Sequence, residues 1–121
     1  MQKRKNSHGD GTWSFPGGHL EKYEEFKECS IREAKEETGL EIKLMSEKPV
    51  AITNDFFRKE NRHYVTLFMK AKYLSGTPRI SEEEKNKIEK IVWADWNNLP
   101  QPLFLPIQNL IKQGYDPFMQ K

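Results

Sequence analysis

The sequence predicts an α/β layered domain, a mixed β-sheet packed with helices, and three observations carry that prediction. A helix bracketed by glycines runs between Gly18 and Gly39. Segments rich in Val, Ile, Tyr, Phe and Thr lie on both sides of it, and a second, short amphipathic helix closes the chain. At 121 residues and 36% apolar content, one domain over residues 1–121 is expected, burying roughly two thirds of its unfolded surface.

Met1 to Lys5 reads as a short basic opening and Asn6 to Gly11 (NSHGDG) as a turn. Thr12 to Phe15 is expected to form a strand. Pro16-Gly17-Gly18 ends it in a corner where the lack of bulky side chains lets a ligand approach the backbone. The helix follows from about Tyr23 to Thr38, with Glu in its first turns as the dipole favours and Gly39 placed to end it in the left-handed conformation. Leu40 to Met45 and Val50 to Asn54 are strand pieces, and Asp55 to Asn61 suits a hairpin connection. Arg62 to Leu74 (RHYVTLFMKAKYL) is the strongest strand in the chain. Ser75 to Asn86 is a polar loop and Ile88 to Trp96 returns to strand chemistry. Beyond a proline-punctuated stretch, a helix over Leu105 to Gln113 carries Ile107, Leu110 and Ile111 at helical spacing.

Charge and composition narrow the partners. Twenty basic and 18 acidic residues nearly balance, which argues against a protein that coats nucleic acid. The single cysteine, Cys29, excludes an internal disulfide, and His8, His19 and His63 have none of the spacings of a zinc site. No apolar run approaches the ~20 residues of a membrane span, and the opening lacks the apolar segment of a signal peptide. A reducing, cytoplasmic setting is the expectation.

The chemistry concentrates in the first helix. Helical spacing puts Glu33, Glu36 and Glu37 on one face together with Phe26 and Cys29, so the three carboxylates should crowd a half-buried surface and need cations. Hard oxygen donors that leave room for waters and phosphates suit Mg2+, with Mn2+ as its substitute. Arg32, next to Glu33, can brace a carboxylate by a forked pair. The duller readings of the other residues are that Cys29 packs without reacting, that His8 and His63 have no role, and that Phe15 and Trp93 belong to the core.

Gly18, Glu24, Arg32-Glu33-Ala34, Glu36-Glu37 and Gly39-Leu40, at their spacings, resemble the signature box of the Nudix hydrolases. A chance match in a chain of this size is roughly one in 10⁵ at about one in ten per demanded position. Ala34 is smaller than the aliphatic residue that family members usually carry there. Lys3-Arg4-Lys5, Pro16 to Glu21, His63 to Thr66, Trp93 and Gly114 to Phe118 extend the resemblance to the small MutT-like branch, which includes a vertebrate thiopurine-nucleotide diphosphatase. The resemblance implies an α/β/α sandwich around a mixed sheet and Mg2+-dependent hydrolysis of nucleoside triphosphates to monophosphate and pyrophosphate, oxidised purine nucleotides among the substrates. It implies that Glu33, Glu36 and Glu37 are metal ligands or the base, that the Gly17 carbonyl is a further ligand, and that Arg32 orients Glu33. Arg4 would contact phosphates, Gly18 and His19 would border the nucleotide, and Phe15 and Trp93 would flank the base. An extra metal-binding carboxylate would come from Glu89, with Glu84 as second choice.

The alternatives are a pyrophosphatase for ADP-ribose or nucleotide sugars, which shares the same box, and a non-catalytic nucleotide-binding module, which typically loses box carboxylates that are intact here. In the family, another strand precedes the one ending near Lys3-Arg4-Lys5. The sheet is therefore expected to begin a strand short, with that edge exposed, or covered through a homodimer or strand exchange.

Overall fold

The computed structural model describes residues 1–119; Gln120 and Lys121, the last positions of the expected domain, lie outside the described residues. Gln2–Arg4, a basic opening by composition and the end of a strand by the family resemblance, forms a strand, β1, antiparallel to β2 (Trp13–Ser14). The turn between them is held by Arg4 N–H on the Thr12 carbonyl and Gly11 N–H on the Arg4 carbonyl, each at 2.8 Å. On its other edge β1 pairs antiparallel with β7 (Ile88–Ile91), giving the order β2-β1-β7. β1 itself is thus paired on both sides, while the remaining strands form two separate two-stranded sheets, so no single closed sheet runs through the described residues.

The first helix, α1, spans Phe26–Thr38, three residues shorter at its start than the reading from Tyr23. Tyr23 takes a left-handed conformation (φ 66°), which no helical residue can hold. The helix begins instead at a capping box in which the Glu25 side chain accepts from the backbone of Glu28 and the Glu28 side chain accepts from the Glu25 N–H. Only Glu28 remains acidic within its first turn, because Glu24 stays outside. Gly39 ends the helix at φ 76° and donates to the Lys35 carbonyl.

The stretch expected to be one strand over Arg62 to Leu74 is two. β5 (Arg62–Phe68) pairs with β4 (Ala51–Phe57), while β6 (Ala71–Ser75) pairs with β3 (Glu41–Leu44). The break falls where Phe68 still accepts from Val50 and Lys70 already accepts from Met45, so the chain changes partner within two residues. β4 also runs on to Phe57, leaving a tighter hairpin turn in which Asn61 takes φ 53°. The last predicted strand stops at Ile91, because Asp95 accepts from Asn97 N–H and caps a 3₁₀ turn over Trp96–Asn98. All ladders are antiparallel, and the parallel component is the single bridge between Trp13 and Leu103.

The second helix, α2 (Leu105–Lys112), buries Ile107 and Leu110 and leaves Ile111 to solvent, as three- and four-residue spacing requires. It packs on β4, where Thr53, Asp55 and Phe57 point inward and Ile52, Asn54 and Phe56 point out. Asp55 is fully buried and accepts from Thr53, Thr66 and the Asn109 side chain, which ties β4, β5 and α2 to one carboxylate. On the other side of the molecule, α1 turns Ala34, Glu37 and Thr38 inward. Glu37 meets Gln2 of β1 there, and this junction positions the site. Among the described residues no helix is long and apolar enough to cross a membrane.

Candidate active site

The site is the face of α1 that looks onto the Pro16-Gly17-Gly18 corner. Gly18 comes so near that a Cβ built on it would lie well inside van der Waals contact with the carboxyl group of Glu33. The Gly17 N–H donates to Glu37 Oε1 at 2.9 Å. The missing side chain at position 18 leaves this close approach open, so that one helix and one loop share a carboxylate surface.

Arg32 organises the exposed half of that surface. Its guanidinium forks onto Glu24 (Nε to Oε2 2.8 Å, Nη2 to Oε1 3.0 Å), while Nη1 reaches Glu33 at 2.5 Å and Glu36 at 3.3 Å. Nη2 also donates to the His19 carbonyl at 3.2 Å, fixing the loop that follows the corner. The forked bonds hold the Glu24 carboxyl down at about 2, with help from the Glu21 N–H, and they push the Arg32 guanidinium further up.

Glu37 sits apart from that network. It is 9% exposed and accepts on Oε1 from both Gln2 Nε2 (2.8 Å) and Gly17 N–H. Burial dominates and pushes its carboxyl up to about 7, against the two hydrogen bonds, with Glu33 and Glu84 adding like charge. Cys29 is buried, its Sγ near the His19 carbonyl; burial and then Glu24 raise the thiol to about 11, so it packs as a neutral group.

Among the described residues, no three His, Cys, Asp or Glu side chains converge into a ready-made metal cage. The crowding expected from helical spacing is relieved by Arg32, which takes up Glu33 and Glu36, and by the turning of Glu37 to Gln2 and Gly17. The donor set still fits a hard divalent ion. It is all oxygen, Glu36 is open to solvent, and such an ion keeps most of its waters while using one or two protein carboxylates.

The remaining candidates divide. Glu89 is paired with Lys3 at 3.2 Å. Glu89 stands at the register irregularity between β1 and β7, and no ion pair or hydrogen bond joins it to Glu33, Glu36 or Glu37 among the described residues. Glu84 lies near enough for its charge to act on Glu37. Arg4 lays its guanidinium over the Phe104 ring at 4.0 Å, donates to the His8 carbonyl, and has no carboxylate partner among the described residues. The His19 ring stacks on Tyr64 at 5.9 Å. Phe15 packs edge-on to Phe68 of β5, whereas Trp93 packs edge-on to Tyr73 of β6, so the two expected walls of a base pocket pack against different strands. Trp93 is 65% exposed and lines a cavity of about 150 Å3 with Met1, Gln2, Pro16 and Leu40.

Three residues lay outside the sequence candidates. Glu24 carried a signal, since it stands in the box spacing, and His8, read as idle, stacks with Tyr64 and edges Phe57. Gln2 carried none, because its partner lies 35 residues away.

The family model of the NUDIX domain matches residues 1–113. The ADP-ribose pyrophosphatase of Methanocaldococcus jannaschii is 32% identical over 102 residues, covering 84% of this chain and 57% of its own length. Nudix hydrolase 2 of Arabidopsis thaliana is 29% identical over 101 residues, 83% of this chain and 35% of its own. The chain thus spans little more than half of one curated relative and about a third of the other. Among solved structures, the MutT NUDIX hydrolase from Burkholderia pseudomallei superposes with a TM-score of 0.77 at 28% identity, over 93% of this chain and 84% of that one.

Proposed function

The chain belongs to the Nudix hydrolase family, and on that premise we propose that it hydrolyses nucleoside triphosphates to nucleoside monophosphate and pyrophosphate with Mg2+. Purine nucleotides, oxidised ones included, are the proposed substrates. The observation that carries the reading is the carboxylate face of α1 set against the Gly17-Gly18 corner with Arg32 across it. A family of this kind generally works with divalent ions.

Glu33, Glu36 and Glu37 would hold the ion or act as base, with the Gly17 carbonyl as a further ligand. Bound there, the ion would supply Lewis acidity toward the phosphate oxygens and the attacking water. Arg32 keeps the Glu33 carboxylate in one orientation through its 2.5 Å bond and ties the His19 loop to the same guanidinium. Glu37 is held in one orientation by the Gln2 amide and the Gly17 N–H, which both donate to its Oε1. Gly18 and His19 would border the nucleotide, Arg4 would contact phosphate, and Phe15 or Trp93 would meet the base.

A second reading is favoured by one observation, the 32% identity to an ADP-ribose pyrophosphatase. A hydrolysis panel separates the two. Ordinary and oxidised nucleoside triphosphates, ADP-ribose and nucleotide sugars are incubated with and without Mg2+ and the products identified. Pyrophosphate and monophosphate from triphosphates support the first reading, and AMP with ribose phosphate from ADP-ribose supports the second. Turnover unchanged in both Glu36→Gln and Glu37→Gln would remove both.

A further inference from the structure

Gln2 is 4% exposed on the middle strand of its sheet, with Ser14 across from it on one side and Ile91 on the other. Its backbone is therefore fixed from both edges. Its side chain reaches α1, where Nε2 donates to Glu37 Oε1 at 2.8 Å. The amide points this way against an ionised Glu37, because the reverse would set two acceptor oxygens against each other. Its own Oε1 is sealed from solvent and has no donor, so the single bond to Glu37 orients the whole group.

The Gly17 N–H meets the same Glu37 oxygen from the other side. Glu37 Oε1 is thus occupied by two protein donors. Oε2 has no donor among the described residues and is not among the sealed, unpartnered polar atoms of the buried side chains, so it keeps some access to solvent. One oxygen is tethered and the other presented.

We propose that Gln2 is a positioning residue for the candidate metal site: with Gly17 it clamps Glu37 Oε1 and so directs Oε2 toward a divalent cation. This rests on the proposed reading of α1 as a cation-holding face. A carboxylate held on one oxygen cannot rotate both into other hydrogen bonds, and outer partners of this kind typically change metal affinity 10–100-fold when lost. A purely structural glutamine would behave differently. Replacing it by methionine, of similar length and without the orphaned acceptor, would leave ion binding alone.

The test is Mn2+ binding to the full chain, measured by calorimetry and by the electron paramagnetic resonance of free Mn2+, for wild type, Gln2→Met and Gln2→Glu. Circular dichroism melts check that each variant is folded. The expected result is a Mn2+ dissociation constant raised about tenfold or more in Gln2→Met. In Gln2→Glu, a second carboxylate facing Glu37 should weaken binding further. Wild-type affinity in a folded Gln2→Met overturns the proposal. If neither variant folds, the wild-type protein still decides: the ¹⁵N side-chain amide resonances of Gln2 should move on Mg2+ addition and on Glu37→Gln, and immobility in both overturns it. Absence of any Mn2+ binding in wild type would defeat the reading of the site itself, and with it this proposal.

Discussion

Gly18→Ala gives the most direct test of the geometry. The added methyl would lie 2.5 and 2.6 Å from the two Glu33 carboxylate oxygens, where ordinary contact begins near 3.4 Å. Glu33 cannot turn away freely, because Arg32 Nη1 holds it at 2.5 Å and its side chain is only 13% exposed. Either the carboxylate or the corner must retreat by about 1 Å, and a displacement of that size at a reacting centre costs on the order of 100-fold in rate, or about 2.7 kcal/mol of transition-state stabilisation. The assay is kcat/KM on the best substrate of the hydrolysis panel, with a thermal melt to separate lost activity from lost fold. Gly17→Ala is the steric comparison: its methyl meets nothing within 4 Å, so it should retain far more activity. Gly18→Ala within threefold of wild type would refute the claim that Gly18 and Glu33 share one working surface.

Three further outcomes rest on buried or paired carboxylates. Glu37 is raised in the folded protein, so its stabilising contribution is complete below the unfolded value of 4.5 and is lost as pH rises through about 7, on the order of 3 kcal/mol in all. Chelator-treated protein should show a falling melting temperature over that window, which Glu37→Gln lacks; equal slopes in the two would contradict it. Glu24 has the opposite sign: its contribution is present above about 4.5 and disappears as pH falls toward about 2, so Glu24→Gln should flatten the acid limb of a stability-against-pH curve. Asp55→Ala strands donors on Thr53, Thr66 and Asn109, and should cost on the order of 4 kcal/mol in urea unfolding. A loss below about 1 kcal/mol would mean that the network rearranges without penalty.

What was legible in the sequence was local. Gly39 advertises the end of α1, and the periodicity of Ile107, Leu110 and Ile111 gives α2, because capping and helical spacing act within a few residues. The box residues were legible by type and interval. What tertiary partners decide was not: by composition Gln2–Arg4 is only a basic opening, and its place in the middle of a sheet comes from pairing with β2 and β7. The run from Arg62 to Leu74 is uniformly strand-like, yet it divides because β4 and β3 claim separate halves. Glu89 follows from the resemblance alone, and its pairing with Lys3 across β1 and β7 is a tertiary contact that no local pattern announces. The start of α1 was misjudged for a related reason, since Glu24 belongs to Arg32 and lies outside the helix.

Arg32 spans four glutamates, counting the longer 3.7 Å contact to Glu21, so the acidic face carries its own internal counterion. The chain therefore need not wait for a cation before folding. An ion bound beside Glu33 or Glu36 would enter by exchange, taking carboxylate oxygens from a guanidinium that is already satisfied, whereas Glu37 Oε2 would be given up by no protein donor. Exchange of this kind favours loose binding to the bare protein and tighter binding when phosphates arrive with the ion, because the phosphates bring their own negative charge to whichever cation Arg32 or the metal leaves uncovered. Ion and triphosphate should then titrate as one ligand, with the affinity of each rising in the presence of the other by the same factor.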